Sequence, residues 1–122
     1  MILVDTSVWV DHLRGLDAVL AERLNTGQVL IHPFVIGELA LGNLHQRDDI
    51  LALLRELPRA IVATDDEVSR FIDRNALFGR GVGYVDVHLL ASARLTGGTL
   101  WTRDRRLQNL AVQLELAARP AN

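Results

Sequence analysis

Short apolar runs are the feature that most restricts how this chain of 122 residues can fold. Ile2-Leu3-Val4 and Val29-Leu30-Ile31 are uninterrupted apolar runs, and Thr99-Leu100-Trp101-Thr102 is a third short run. Such runs are typical of strands that are buried on both faces, as in a parallel sheet with helices on either side. The pattern therefore predicts an α/β protein, a three-layer α/β/α sandwich with a short central parallel sheet.

The stretches between these runs carry the spacing and the end signals of helices. Pro33 occupies the opening position that proline prefers, and Thr64 with Glu67 forms a capping box. Thr6 or Ser7 is the expected N-cap of the first helix. Helices are predicted over residues 8–13, 17–24, 33 to about 42, 48–57, 64–78, 84–95 and 104–110. Two further short strands are predicted over 60–63 and 112–116, and a disordered tail over 119–122.

Composition limits the classes of function. Apolar residues make up 49% of the chain and charged residues 23%, which fits one globular domain spanning residues 1–122. The lack of cysteine excludes disulfides, zinc–thiolate sites and thiol nucleophiles. With no apolar run of membrane length and no basic signal-peptide start, we expect a cytoplasmic protein without a membrane segment. The net charge of -2 does not by itself indicate nucleic-acid binding.

Four acidic residues are expected at one edge of the sheet. Asp5 ends the first strand, and Asp104 lies just past the strand that ends at Thr102. Asp86 lies in the first turn of its helix, and Glu38 lies in the second turn of the helix that follows the second strand. The carboxyl ends of parallel strands and the N-termini of the next helices share one edge, where α/β proteins bind ligands. The sequence does not give the strand order, so convergence on one spot is an inference.

A carboxylate cluster of this kind needs a cation. Two like charges about 4 Å apart repel by roughly 4 kcal/mol at an effective dielectric near 20. All-oxygen ligands favour Mg²⁺ or Mn²⁺ over zinc, and two such ions activate a water and stabilise the leaving oxygen in phosphodiester hydrolysis. Taken singly, Asp86 and Asp104 equally fit helix caps. The prediction of a metal site therefore depends on the whole set of acids.

Four segments of the chain carry the motifs of a known family. They are Ile2-Leu3-Val4-Asp5-Thr6-Ser7-Val8-Trp9, Gly37-Glu38-Leu39, Asp86-Val87-His88-Leu89-Leu90-Ala91-Ser92-Ala93 and Leu100-Trp101-Thr102-Arg103-Asp104. In these segments and in their order, the sequence resembles the PIN-domain nucleases, and specifically the VapC toxins of bacterial toxin–antitoxin pairs. No single motif is highly specific, but the four together span nearly the whole chain.

The resemblance implies that four acidic residues form a metal site: Asp5, Glu38, Asp86 and Asp104. Within this set, it implies that Asp5 and Asp86 are the central ligands. It also implies that the hydroxyls of Thr6 and Thr102 orient carboxylates. The implied activity is Mg²⁺- or Mn²⁺-dependent endonucleolytic hydrolysis of RNA, often a transfer RNA or a ribosomal RNA loop. The implied partners are a second copy of the chain, in a homodimer, and a cognate VapB-like antitoxin that blocks the site.

Arginines flank the predicted site, and all thirteen basic residues of the chain are arginine. Arg80 lies in the glycine-rich loop before Asp86, and three more arginines surround Asp104: Arg103, Arg105 and Arg106. Arginines beside an acidic site are suited to hold RNA phosphates, although a solvated run of charges explains them equally well. A local basic patch would reconcile RNA binding with the overall negative charge.

Other functions have weaker support in the sequence. A receiver-type domain also ends its first strand with Asp, but aspartyl-phosphate chemistry usually adds a lysine, and this chain has none. A Walker-type nucleotide site fails because its Gly-Lys-Ser/Thr motif is missing. The main alternative is a catalytically weak PIN-like domain that acts by binding another protein. The presence of all four acids favours the nuclease.

Overall fold

A three-stranded parallel sheet forms the centre of the computed structural model, which describes residues 1–119. The strands are β1 (Ile2–Val4), β2 (Val29–Leu30) and β3 (Thr99–Trp101), in the order β2-β1-β3. Leu3 of β1 pairs with Leu30 on one side and with Leu100 on the other. The predicted short parallel sheet is therefore confirmed, with β1 as its central strand.

Seven helices in the described part of the chain surround this sheet. They are α1 (Thr6–Arg14), α2 (Ala18–Asn25), α3 (Pro33–Leu41), α4 (Arg47–Arg55), α5 (Asp65–Arg74), α6 (Tyr84–Thr96) and α7 (Arg105–Gln113). The predicted capping box at the start of α5 is present in both directions, because the Thr64 hydroxyl accepts from the Glu67 N–H and the Glu67 carboxylate accepts from the Thr64 N–H. The alternation of strands and helices gives the predicted α/β sandwich.

Burial is densest along α6. Seven consecutive residues of this helix, from Val87 to Ala93, are buried. Leu3 and Val4 of β1 are fully buried, as are Leu89 and Leu90 of α6. A helix with a continuous run of buried residues lies inside the protein rather than on its surface. None of the helices within residues 1–119 is long and apolar enough to cross a membrane.

Three local predictions were wrong. The N-cap of α1 is Asp5 rather than Thr6 or Ser7, because the Asp5 carboxylate accepts from the Ser7 N–H. Residues 60–63 form no strand, since after one bridge between Ile31 and Arg59 the chain enters the cap of α5. Residues 112–116 are also not a strand.

The segment after α7 pairs with β3, but slightly later in the chain than predicted. Helix α7 continues to Gln113, and Glu115 then takes a positive φ of 59° that reverses the chain. The Leu100 N–H donates to the Leu116 carbonyl, and the Ala118 N–H donates to the Leu100 carbonyl. The edge contact therefore exists, but as a single parallel bridge between Leu100 and Ala117. Residues 120–122 of the predicted tail lie outside the described residues.

A buried histidine joins α3 to α6. His32 is the N-cap of α3, and its Nδ1 accepts from the Phe34 N–H at 3.0 Å. A neutral imidazole then carries its proton on Nε2, which lies 3.1 Å from the Ser92 hydroxyl in α6. Burial, together with the nearby His88, lowers the pKa of His32 to about 4. The folded protein therefore holds this ring neutral under ordinary conditions.

Neutral His32 makes the free energy of unfolding depend on pH. Unfolded His32 takes up a proton below its ordinary pKa of about 6.5, whereas the folded side chain does so only near 4, so stability is lost as pH falls through this window. We expect His32 to account for a loss of about 2 kcal/mol between pH 7 and pH 5. Urea unfolding of the wild type and the His32→Gln variant at both pH values measures this loss of stability. The variant should lose less stability on acidification, and His45→Gln, at an exposed loop position, should match wild type.

Equal pH dependence in the wild type and the His32→Gln variant would contradict this assignment. The comparison uses only the difference between two pH values within each protein. Any general loss of stability caused by the substitution therefore cancels.

Candidate active site

The sheet order brings the four predicted acidic residues to one edge. Asp5 follows the central strand β1 and caps α1, while Asp104 follows β3 and caps α7. Asp86 lies in the first turn of α6, and Glu38 lies on α3, the helix after β2. Because β1 lies between β2 and β3, the elements that carry Glu38 and Asp104 flank the one that carries Asp5.

Asp5 is the most enclosed of these carboxylates, with 6% of its surface exposed. Its Oδ2 atom accepts a hydrogen bond from the Ser7 hydroxyl at 2.6 Å and another from the Thr102 hydroxyl at 2.8 Å. A buried carboxylate without such donors would carry a large desolvation cost. The two hydroxyls therefore provide hydrogen-bond partners for Asp5 and fix its orientation.

Thr102 also connects Asp5 to Asp104. While its hydroxyl donates to Asp5, its Oγ1 accepts from the Asp104 backbone N–H at 3.0 Å. The Asp104 carboxylate in turn accepts from the Leu107 N–H at 3.0 Å through Oδ1, which caps α7. One hydroxyl thus holds the ends of β1 and β3 in a fixed relation.

Glu38 lies at the exposed side of the site. Its Oε1 accepts a hydrogen bond from the Thr6 hydroxyl at 2.8 Å. Thr6 is the first residue of α1 and follows Asp5 directly, so this bond joins α3 to the segment that carries Asp5. Both threonines that the sequence singled out therefore contact acidic residues of the predicted set.

Asp86 interacts electrostatically with the three other acids. Burial raises the pKa of its carboxyl most, and the negative charges of Asp5, Asp104 and Glu38 add to this in that order, so that the pKa is raised to about 6. Like charges have this effect only when they are close enough to oppose ionisation. The structure therefore brings the four predicted carboxylates into one electrostatic neighbourhood.

The donor chemistry of this neighbourhood suits a hard divalent cation. Carboxylate oxygens are the ligands that Mg²⁺ and Mn²⁺ prefer, and a cation would offset the repulsion felt by Asp86. Within residues 1–119, no group of three or more acidic or histidine side chains is already arranged to hold a metal ion. The fit to a metal therefore rests on the four carboxylates and on the electrostatic repulsion between them.

Ser7 is a site residue that the sequence analysis missed. Its hydroxyl donates to Asp5 and accepts from the Arg103 backbone N–H at 3.0 Å. The sequence could have indicated Ser7 if Asp5 had been recognised as the N-cap of α1. If Asp5 caps α1, its carboxylate faces the first turn of the helix, where residue 7 lies.

The four flanking arginines differ in their partners. Arg80 donates to the side-chain oxygen of Gln113 at 2.8 Å, and Arg106 donates to the Gly81 carbonyl at 3.2 Å, so both have neutral acceptors. Arg105 is exposed at the start of α7. Arg103 instead forms ion pairs with two carboxylates.

Comparison with known proteins agrees with this architecture. Residues 2–113 match the PIN domain family. The chain is 55% identical over 109 residues to the protein named Ribonuclease VapC32 in two strains of Mycobacterium tuberculosis, covering 88% of each chain. It shares its fold with the crystal structure of PAE2754 from Pyrobaculum aerophilum, at a TM-score of 0.58 and 20% identity, over 93% of this chain and 88% of that one. The chain therefore belongs to the PIN-domain family, among its VapC members.

Proposed function

We propose that this protein is the toxin of a type II toxin–antitoxin pair and a Mg²⁺- or Mn²⁺-dependent endoribonuclease. The observation that carries the proposal is the convergence of four carboxylates, from four chain segments, at the carboxyl edge of the sheet. The relatives named Ribonuclease VapC32, at 55% identity, support RNA as the substrate. Transfer RNA or a ribosomal RNA loop is the target class that we infer from the family resemblance.

The proposed ligands of the cation are Asp5, Glu38, Asp86 and Asp104. The hydroxyls of Ser7 and Thr102 both bind Oδ2 of Asp5, so Oδ1 is the oxygen offered to the cation. Asp104 similarly uses Oδ1 for the cap of α7 and offers Oδ2. These residues would hold a cation whose chemistry would be the activation of a water for attack on the phosphodiester and the stabilisation of the leaving oxygen. The protein itself supplies fixed carboxylates and hydroxyls that hold their orientation.

Arginines at the rim of this edge are the proposed phosphate contacts. Arg80 and Arg106 bind only neutral acceptors in the described contacts, and Arg105 is exposed beside Asp104. Their positive charges can therefore attract phosphate, since no carboxylate within residues 1–119 forms an ion pair with them. Such a local patch allows RNA binding by a chain whose net charge is -2.

Loss of either central carboxylate should strongly reduce RNA cleavage. We expect Asp5→Asn and Asp86→Asn each to lower the cleavage rate with Mg²⁺ by about 100-fold or more, because each substitution removes a charged ligand of the cation. EDTA should have the same effect on the wild type. Gel analysis of a labelled RNA, with circular dichroism as a check on folding, measures both.

Asp73→Asn is the matched control, because Asp73 is an exposed carboxylate on α5. It should leave cleavage unchanged. Cleavage that survives EDTA, or that persists in both site variants, would rule out the proposed mechanism. A protein that binds its partner normally but cleaves no RNA would favour the alternative, a PIN-like binding module.

Thr102 tests whether hydroxyl support matters for the metal site. Thr102→Val removes the bonds to Asp5 and to the Asp104 N–H at nearly constant volume, whereas Thr102→Ser keeps a hydroxyl. We expect the valine variant to bind Mn²⁺ about 10- to 100-fold more weakly, in the usual range for residues that orient ligands. Titration calorimetry measures the affinity. Equal affinities in the valine and serine variants would show that the hydroxyl has no such role.

A VapB-like antitoxin is the proposed regulatory partner, and a homodimer is the proposed assembly. A cleft of about 400 Å³ lies between α1, the α3–α4 loop and the start of α4. Half of its lining residues are apolar and half are polar or charged: Val10, Leu13, Leu44 and Ile50, and Arg14, Asn43, His45 and Gln46. Such a mixed cleft suits an amphipathic partner helix.

The genome neighbourhood provides an inexpensive test of this partnership. We expect a small reading frame for a DNA-binding antitoxin directly upstream, and co-expression should yield a complex that no longer cleaves RNA. Sedimentation of the toxin alone checks the homodimer. An isolated gene, or a complex with full activity, would contradict the proposed regulation.

A further inference from the structure

Arg103 joins the loop between β3 and α7 to two other helices. It lies between Thr102 and Asp104, the residues that face Asp5 and begin α7. Its Nη1 donates to Oδ2 of Asp11 on α1 at 2.6 Å, and its Nη2 forms a short contact with Oδ2 of Asp17. Asp17 is also the N-cap of α2. One guanidinium therefore ties the β3–α7 loop to both α1 and α2.

The rest of Arg103 is also engaged within the protein. Its backbone N–H donates to the Ser7 hydroxyl at 3.0 Å, the same hydroxyl that binds Asp5. Its guanidinium carbon lies 5.7 Å from the centre of the Trp101 ring, within the range of a cation–π contact. The backbone and side chain of Arg103 together restrain the loop that presents Thr102 and Asp104.

The charges around Arg103 differ from those around its neighbours. The hydrogen bonds that Arg103 donates to Asp17 and to Asp11 raise the pKa of its guanidinium. A hydrogen bond from the Leu20 N–H lowers the pKa of Asp17 most, and Arg103 lowers it further. The positive charge of Arg103 is thus matched by two carboxylates. A phosphate would therefore compete with two carboxylates for the guanidinium.

We propose that Arg103 is a positioning residue of the active site, held by Asp11 and Asp17 so that the β3–α7 loop delivers Thr102 and Asp104, and that it does not contact RNA. The inference rests on the proposed function, because it assumes that the acidic edge binds a divalent cation. Arginine suits this task better than lysine, since its planar fork reaches two carboxylates in fixed directions.

The two roles for Arg103 predict opposite effects at Asp11. If Arg103 bound RNA, Asp11 would compete with phosphate for it, and Asp11→Asn would strengthen RNA binding. If Arg103 positions the loop, Asp11→Asn loosens the same anchor and weakens metal binding as Arg103→Gln does. Asp11 is the better partner to vary, because Asp17 also caps α2.

The experiment measures metal binding and RNA binding separately, and neither depends on turnover. Titration calorimetry with Mn²⁺, in the absence of RNA, follows the metal site. Fluorescence anisotropy of a labelled 20-nucleotide RNA of mixed sequence, in EDTA over a range of NaCl concentrations, follows phosphate contacts. The proteins are wild type, Arg103→Gln, Asp11→Asn, the double variant, Arg105→Gln as a contrast and Asp49→Asn as a matched control for the loss of an exposed carboxylate on α4.

We expect Arg103→Gln and Asp11→Asn each to weaken Mn²⁺ binding by about 10-fold, as loss of ligand support commonly does. The double variant should be no worse than either single variant, because both break one anchor. Neither should change the salt dependence of RNA binding. Arg105→Gln should do the reverse, lowering the salt slope by about one phosphate contact while Mn²⁺ affinity stays unchanged. Asp49→Asn should match wild type in Mn²⁺ binding.

Several results would overturn the inference. They are a lowered salt slope in Arg103→Gln, stronger RNA binding in Asp11→Asn, or wild-type Mn²⁺ affinity in Arg103→Gln. Should Arg103→Gln fail to fold, Asp11→Asn alone still decides between the two roles. Tighter RNA binding would overturn the positioning role, whereas weaker Mn²⁺ binding would support it. A wild type that binds no Mn²⁺ would overturn the proposed function and this inference with it, whereas the other results contradict only the role of Arg103.

Discussion

Burial of the Asp5 carboxylate at the end of the central strand is the constraint on which the site depends. A carboxylate in this position is tolerated only when donors surround it. Ser7 and Thr102 supply those donors from α1 and from the residue after β3. The bond from Thr102 fixes the end of β3 relative to Asp5, and the bond from Thr6, the next residue, to Glu38 connects α3 to the same segment. The segment Asp5–Ser7 is therefore the centre around which the acidic edge is arranged.

The fold keeps acidic groups together against their mutual repulsion. The repulsion is evident at Asp86, because burial and three like charges raise its pKa to about 6. Its position is enforced by α6, whose next seven residues are buried in the core. His32 adds a bond from the cap of α3 to Ser92 of α6, so the helices that carry Glu38 and Asp86 are joined inside the protein. Core packing thus holds an arrangement that its charges alone would disperse.

The sequence predicted the features that depend on local pattern. The apolar strands, the proline start of α3 and the capping box of α5 are set by residues adjacent in the chain. It could not give the order β2-β1-β3, because short parallel strands carry no mark of their neighbours. The predicted N-cap of α1 was wrong because Asp5, Thr6 and Ser7 are three consecutive residues that all suit this position. The tertiary hydrogen bond from Thr102 favours Asp5.

The arginines show most clearly why local pattern does not determine role. Arg103, Arg105 and Arg106 stand within four residues of one another, and a run of like charges gives no reason to separate them. Their difference comes from Asp11 and Asp17, which lie about 90 positions away in the chain and, of these three arginines, contact only Arg103 in the described contacts. An arginine that faces solvent can attract phosphate, whereas one held by two carboxylates has its geometry and charge already committed. The chemistry of each arginine is therefore fixed by tertiary partners rather than by its place beside Asp104.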